Sequence, residues 1–74
     1  MNFQGFNDYR VEVYKGDKML GAFGYVTNVH LLTYWLNIHF LYWRWTSIKV
    51  YHRIEGELIG EYQRGSEVPA KPGT

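Results

Sequence analysis

Three histidines are the side chains of this sequence best suited to catalysis or to metal binding. His30 and His39 are nine residues apart, which places them on opposite sides of a helix, and His52 falls in a predicted strand. No two of them have the spacing of a metal-binding motif. The chain has no cysteine, and its serines, Ser47 and Ser66, lack the glycine pattern of a nucleophile elbow. The sequence therefore predicts a protein that is not an enzyme and that needs no metal or cofactor.

Stacking of nucleic-acid bases is a second kind of chemistry that the sequence could support, because aromatic and cationic side chains share one predicted sheet face. These side chains are Arg10, Tyr14, Phe23, Tyr25, Lys49, Tyr51 and Arg53. Three glutamates, Glu12, Glu57 and Glu61, are expected on the same face, and the net charge is only +1. Since phosphate attraction would then be weak, binding of single-stranded nucleic acid is an alternative function.

Residues 19–43 form an unusual stretch, because none of these 25 residues carries a formal charge. Its apolar second half predicts a helix from Val29 to Trp45, with Thr27 or Asn28 as the N-cap. A domain of this size buries only about 60% of the surface that its unfolded chain exposes, so excess apolar surface should contact another molecule. Polar residues and glycines interrupt the stretch, so we expect no membrane-spanning helix.

Two predicted β-hairpins flank the helix. Alternating apolar and polar residues predict the first pair of strands, on either side of a two-residue turn at Gly16-Asp17. The register expected from this turn places Val13 opposite Leu20 and Arg10 opposite Phe23. Phe23 is therefore expected on the face of the sheet that points away from the helix.

The second hairpin is predicted around a three-residue loop, Ile54-Glu55-Gly56, whose glycine adopts left-handed backbone. This loop pairs Arg53 with Glu57 and Lys49 with Glu61, which brings opposite charges together. The residues expected to face the helix are Ile48, Val50, His52, Leu58, Gly60 and Tyr62.

The order of elements predicts an α+β fold of the ββαββ type. Short connections favour one four-stranded antiparallel sheet in the order 2-1-3-4, with the helix packed on one face. We expect a single domain over residues 1–65. Residues 66–74 contain both prolines and no apolar period, so they are predicted to be a flexible C-terminal tail.

The predicted helix has more apolar circumference than its sheet can cover, roughly 260° against about 100–140°. The expected inward residues are Leu32, Trp35, Ile38, His39 and Tyr42, with Leu31 and Trp43 beside them. His39 is expected either to pair with His52 across the core or to bond a backbone carbonyl. The expected outer flank is Tyr34, Leu36, Phe40, Leu41, Arg44 and Trp45. Alternatively, the segment Met1–Phe6 with its two phenylalanines could fold over this flank.

The layout of the chain resembles that of small orphan proteins carried by bacteriophages. The similarity spans roughly Tyr9 to Arg64 and consists of a helix, the segment Trp45-Thr46-Ser47-Ile48-Lys49-Val50-Tyr51, a tight hairpin and a proline-containing tail. Such proteins often bind and block one host protein, for example a polymerase, a nuclease or a CRISPR-type defence complex. No functional residue carries over from this resemblance. A typical member has charges along its helix, which this chain lacks.

The predicted function is a non-enzymatic protein-interaction module, of the phage-encoded inhibitor or anti-CRISPR kind, that binds through the outer flank of its helix. Its partner would be a host protein or, in a homodimer, a second copy of the chain. Met1 to Tyr9 has neither a basic start nor an apolar run, so we expect no signal peptide and a location in the host cytoplasm.

Overall fold

The computed structural model describes residues 9–73 of the 74-residue chain, so the predicted cover by Met1–Phe6 lies outside the described residues. The elements are β1 (Tyr9–Lys15), β2 (Lys18–Val26), α1 (Val29–Ile38), a 3₁₀ turn (Phe40–Tyr42), β3 (Ser47–His52) and β4 (Leu58–Gln63). The strands form one antiparallel sheet in the order β2-β1-β3-β4. The predicted α+β fold and strand order are confirmed.

The core lies between α1 and the two central strands. Its buried members are Tyr9, Val11, Val13, Val26, Val29, Leu36, Trp45, Ile48, Val50 and Val68. Burial of each large side chain in such a core contributes about 1.5–3 kcal/mol to stability. Trp45 is the largest of the fully buried side chains, so the segment after the helix is part of the core.

The first hairpin departs from its predicted register because β2 contains a bulge. The observed Cα partners are Tyr14 with Met19, Val13 with Gly21, Glu12 with Ala22 and Val11 with Phe23. Leu20 is the extra residue between the first two pairs, and it moves the side chains of residues 21–23 to the opposite face; a second register shift follows between the Val11–Phe23 and Tyr9–Val26 pairs. Phe23 therefore lies on the helix side of the sheet, so its predicted place on the outer face was wrong.

The second hairpin confirms the pairing of Lys49 with Glu61, but its loop is longer than predicted. The His52 amide donates to the Glu57 carbonyl at 2.8 Å, so residues 53–56 form the loop and the predicted pairing of Arg53 with Glu57 was wrong. A cross-strand ion pair contributes only a few tenths of a kcal/mol and cannot set the loop length.

A bulge in β4 also changes which residues of the second hairpin face the helix. Val50 pairs with Gly60 and Tyr51 with Leu58, which leaves Ile59 as the extra residue. Ile59 packs against the core, whereas Leu58, which was predicted to face inward, is exposed.

Residues 66–73, predicted to be a flexible tail, instead pack against the domain, and we call them the C-terminal strap. Val68 belongs to the buried core. The Val29 amide donates to the Ala70 carbonyl at 2.9 Å, which satisfies a first-turn amide that has no partner within the helix. The Tyr9 hydroxyl donates to the Pro72 carbonyl at 2.7 Å. The strap therefore ties the start of α1 to the start of β1.

α1 ends at Ile38, seven residues before the predicted end at Trp45. The His39 amide donates to the Trp35 carbonyl, and His39 itself has extended backbone. Half of residues 38–45 are Phe, Tyr or Trp, and aromatic residues are weaker helix formers than leucine or alanine. Because the chain leaves the helix here, it can turn back and bury the Trp45 side chain.

Candidate protein interaction site

The polar residues of α1 form hydrogen bonds with the rest of the protein, although only Thr33 is buried and His30 and Asn37 remain exposed. The Trp45 Nε1 donates to the Asn37 Oδ1 at 2.8 Å. The buried Thr33 hydroxyl donates to the His30 carbonyl at 2.7 Å, and the His30 Nδ1 lies 3.1 Å from the Val68 carbonyl oxygen. The polar side of the helix, formed by His30, Thr33 and Asn37, therefore lies beside Trp45 and the C-terminal strap, and its one buried hydroxyl, that of Thr33, has a hydrogen-bond partner.

Two residues of the predicted binding flank are buried. Leu36 is 1% exposed and Trp45 is 2% exposed, so neither can contact a partner and both assignments were wrong. The reason is that the helix turns Val29, Thr33 and Leu36 inward, at the spacing of one helical face. Trp35 and Ile38 were predicted to face inward, and Ile38 is in fact 72% exposed.

The opposite side of α1 carries an apolar surface that continues into the 3₁₀ turn, and we call it the apolar stripe. Its exposed members are Leu31, Tyr34, Trp35, Ile38, Phe40, Leu41 and Trp43. Phe40 is the most exposed of them, at 78%. At their exposed fractions, the four aromatic side chains alone present on the order of 500 Å², similar to the largest apolar patch of a typical monomer. The aliphatic members extend the surface beyond that size.

The apolar stripe is built on a cluster of ring contacts. Trp35 meets Phe23 edge to face at 5.8 Å between ring centroids and meets His39 at 4.4 Å. His39 stacks on Phe40 at 5.4 Å with an interplanar angle of 9°. His39 therefore packs among aromatic rings, whereas His52 lies beside Glu55, so the predicted pairing of the two histidines was wrong.

Local hydrogen bonds fix the turn that presents Phe40 and Leu41. The Leu41 amide donates to the His39 Nδ1 at 3.3 Å, and the Trp43 amide donates to the Phe40 carbonyl at 3.2 Å. Arg44 then adopts left-handed backbone with φ of 61°, and its guanidinium lies 5.6 Å from the centroid of the Trp43 ring. Tyr34, Phe40, Leu41 and Arg44 of the predicted flank are all exposed.

The outer face of the sheet brings together the other predicted set of residues, except for Phe23. Three cations lie over three tyrosine rings: Arg10 over Tyr51 at 5.5 Å, Lys49 over Tyr14 at 4.9 Å and Arg53 over Tyr25 at 5.2 Å. Any base that stacked on one of these rings would compete with the cation already there. The outer face therefore has the residue types of a nucleic-acid site, but its tyrosine rings are already covered by cations of the same chain.

Glu12 forms the centre of this outer face. Its carboxylate accepts from the Tyr14 hydroxyl at 2.7 Å and from the Tyr51 hydroxyl at 3.1 Å, and Arg10 approaches it to 2.8 Å. The Tyr14 hydrogen bond, supported by Arg10 and Tyr51, lowers the pKa of Glu12 below its ordinary value of 4.5. The same hydrogen bond raises the pKa of Tyr14 to about 12.

Burial, followed by the hydrogen bond to Glu12, raises the pKa of Tyr51. The three side chains and Arg10 thus form a polar network that is satisfied within the protein. Such a network stabilises the sheet and leaves little unmet hydrogen-bonding capacity for a ligand.

Both edges of the sheet carry bulges, which bear on how a partner could attach. The extra residues lie in the edge strands β2 and β4 and not in the central strands. Bulges in edge strands interrupt the regular row of backbone groups that strand addition requires. The side-chain surface of the apolar stripe is therefore a better candidate for contact than either edge.

No protein-family model matches the chain, nor does any curated protein or solved structure. Within residues 9–73, no three histidine, aspartate or glutamate side chains are grouped so that they could hold a metal ion. No helix in the same range has both the length and the apolar content needed to cross a membrane.

Proposed function

We propose that this protein is a non-enzymatic interaction module that binds another protein through its apolar stripe. The observation that carries the proposal is the size and exposure of this surface, which includes Phe40, Ile38 and Trp43. Aromatic side chains of this kind anchor protein interfaces, because each buries a large area at a small entropic cost. Exposing them to water has a free-energy cost of about 25 cal/mol per Å², which a partner would recover.

The resemblance to small bacteriophage proteins suggests what kind of partner the protein binds and what binding does to it. We propose that the partner is a host protein in the cytoplasm and that binding blocks it, as an inhibitor of a polymerase, a nuclease or a CRISPR-type defence complex would do. The ring contacts beneath the stripe support tight binding of a partner, because a preorganised surface loses less entropy on binding.

The test compares three forms of the protein coupled to beads and exposed to bacterial lysate. The variant Phe40→Ser with Leu41→Ser removes two exposed side chains of the stripe. The control, Tyr25→Ser with Ile54→Ser, removes two equally exposed side chains elsewhere. We expect the wild type and the control to retain the same host protein and the stripe variant to lose it, with circular dichroism unchanged. Retention of the same proteins by all three forms would refute the proposal.

A further inference from the structure

A concave site interrupts the apolar stripe, and we call it the Arg44 pocket. It has a volume of about 150 Å³ and lies between the end of α1, the 3₁₀ turn and the segment that follows β4. Ile38, Phe40 and Trp43 contribute apolar wall, and Arg44 and Arg64 contribute the charged part of the lining. A cavity of this size holds a group about as large as a benzene ring. One aromatic or branched aliphatic side chain from a partner would therefore fill it.

The charge of the pocket is of one sign. None of its lining residues is acidic, and the chain has no acidic residue between Asp17 and Glu55. Among residues 9–73, neither Arg44 nor Arg64 has a carboxylate within salt-bridge distance. Two guanidinium groups beside an apolar cavity form a ready binding site for a carboxylate, which arginine binds through paired hydrogen bonds.

The backbone at Arg44 gives independent support. Its φ of 61° is left-handed, a conformation that is unfavourable for a residue other than glycine. Strained residues of this kind cluster at binding sites, where their geometry has a use beyond folding. The strained position here carries a cation of the pocket.

The charge also discriminates between candidate partners. In a twofold dimer through this surface the same patch meets itself, so both copies would bring their Arg44 and Arg64 into one interface that has no acidic residue. Like charges brought together at an interface oppose association. A partner that carries acidic residues around an apolar anchor complements the pocket in both shape and charge.

We propose that the Arg44 pocket binds an acidic segment of a partner protein. One aromatic or branched aliphatic side chain of that segment enters the cavity, and a flanking carboxylate pairs with Arg44 and Arg64. This inference rests on the proposed function, because it specifies the chemistry of the partner that the apolar stripe would bind.

The experiment uses defined peptides and the full chain. Each nine-residue peptide has a central Leu, Phe or Trp flanked by Asp and Glu; matched peptides carry Lys in place of the acids or Ser in place of the central residue. Binding is followed by amide chemical shifts at low salt. We expect at least one acidic peptide to bind more tightly than about 1 mM, with shifts at Ile38, Phe40 and Arg44 and weaker binding at higher salt.

Charge variants then locate the site. Arg44→Gln combined with Arg64→Gln should weaken binding of the acidic peptide about tenfold or more, since hydrogen bonds between charged groups are lost. Arg53→Gln, which removes one charge on the outer sheet face, should leave the affinity unchanged. Equal binding of the Lys-flanked peptides, or no binding by any peptide at about 1 mM, would show that the inference is wrong.

Two further measurements separate this inference from the proposed function. If sedimentation shows a dimer that Phe40→Ser with Leu41→Ser disrupts, the partner is a second copy; the acidic-segment inference then fails while the stripe remains an interface. If vesicles containing phosphatidylglycerol bind through the stripe and the peptides do not, both the inference and the proposed protein partner fail.

Discussion

The outer sheet face and the apolar stripe are both rich in aromatic side chains, but they differ in what surrounds the rings. On the sheet, Tyr14 and Tyr51 donate to Glu12, and Lys49 and Arg10 lie over their rings. The hydroxyl groups and the ring faces of this surface therefore have partners within the same chain.

The apolar stripe has contacts below it and mostly solvent above it. Phe40 stacks on His39 and is still 78% exposed. The aromatic residues of the two surfaces therefore have different roles. Those of the outer sheet face belong to a hydrogen-bonded network that stabilises the sheet, whereas those of the apolar stripe leave ring surface exposed for a partner. Residue types alone would predict a binding site on both surfaces. The structure distinguishes them by the polar partners of the rings and by the exposed area.

The largest expected effect tests which side of α1 belongs to the core. Leu36→Ala should lower the free energy of unfolding by about 2–5 kcal/mol, because it opens a cavity beneath the helix. Ile38→Ala, on the stripe, should change it by no more than about 0.5 kcal/mol. Denaturant unfolding of both variants measures the difference, and equal losses would mean that the stripe is part of the core.

The next effect tests whether Glu12 secures the outer face. Glu12→Gln should lower stability at neutral pH by about 1–3 kcal/mol, because hydrogen bonds to a charged acceptor are lost. Because the pKa of Glu12 is lowered in the folded protein, its contribution is present above about pH 4.5 and is lost as the pH falls through the folded value. The variant and the wild type should therefore converge in stability in acid.

Alkaline unfolding provides a second check on the same network. The pKa of Tyr14 is raised to about 12 from an ordinary value of 10.0, so its contribution is present below pH 10 and is lost as the pH rises towards 12. Tyr14→Phe should remove this alkaline loss. A variant with the same alkaline transition as the wild type would show that the hydrogen bond to Glu12 has no role there.

A smaller effect concerns the strained position beside the stripe. Arg44→Gly should raise the free energy of unfolding by about 0.5 kcal/mol, because relief of the left-handed backbone is partly offset by the greater freedom of glycine in the unfolded chain. Arg64→Gln is the control, because it also removes one positive charge but lies at a position without left-handed backbone. The stability of this variant should stay unchanged. A destabilised Arg44→Gly variant would mean that the side chain itself stabilises the fold.

The smallest expected signal is the response to nucleic acid. A labelled single-stranded oligonucleotide should show no binding to the outer face at low salt, because the tyrosine rings already carry cations and Glu12 is nearby. If binding is seen, falls steeply with salt and is lost in the variant Tyr51→Ala with Lys49→Ala, the outer face is a nucleic-acid site and the comparison of the two surfaces must be revised.

Much of the fold could be predicted, because hairpin turns and alternation are local signals. The positions of both hairpins follow from residues 9–23 and 46–63, and the strand order follows from the short connections between the elements. The bulges at Leu20 and Ile59 could not be predicted, since a bulge depends on packing against the rest of the core. Each bulge moved one large side chain, Phe23 or Ile59, to the other face.

The orientation of α1 could not be predicted from its own residues. His30, Thr33 and Asn37 share one side of the helix; a polar side usually faces water, and on that expectation Leu36 falls outside and Ile38 inside. The C-terminal strap reverses the expectation, because Val68 supplies core packing and a carbonyl for His30. The signal that was available is the apolar run Val68-Pro69-Ala70, which is unusual for a solvated tail.

The hydrogen bond between the Tyr9 hydroxyl and the Pro72 carbonyl has a practical consequence for anyone who immobilises or fuses this protein. It holds the two described ends of the chain together beside the start of α1, and a ten-residue helix, about 15 Å long, separates them from the 3₁₀ turn. A support joined to the C-terminal strap would therefore lie closer to the start of α1 than to the 3₁₀ turn. Phe40 and Leu41 would then be separated from the support by about the length of α1 and would stay accessible to a partner.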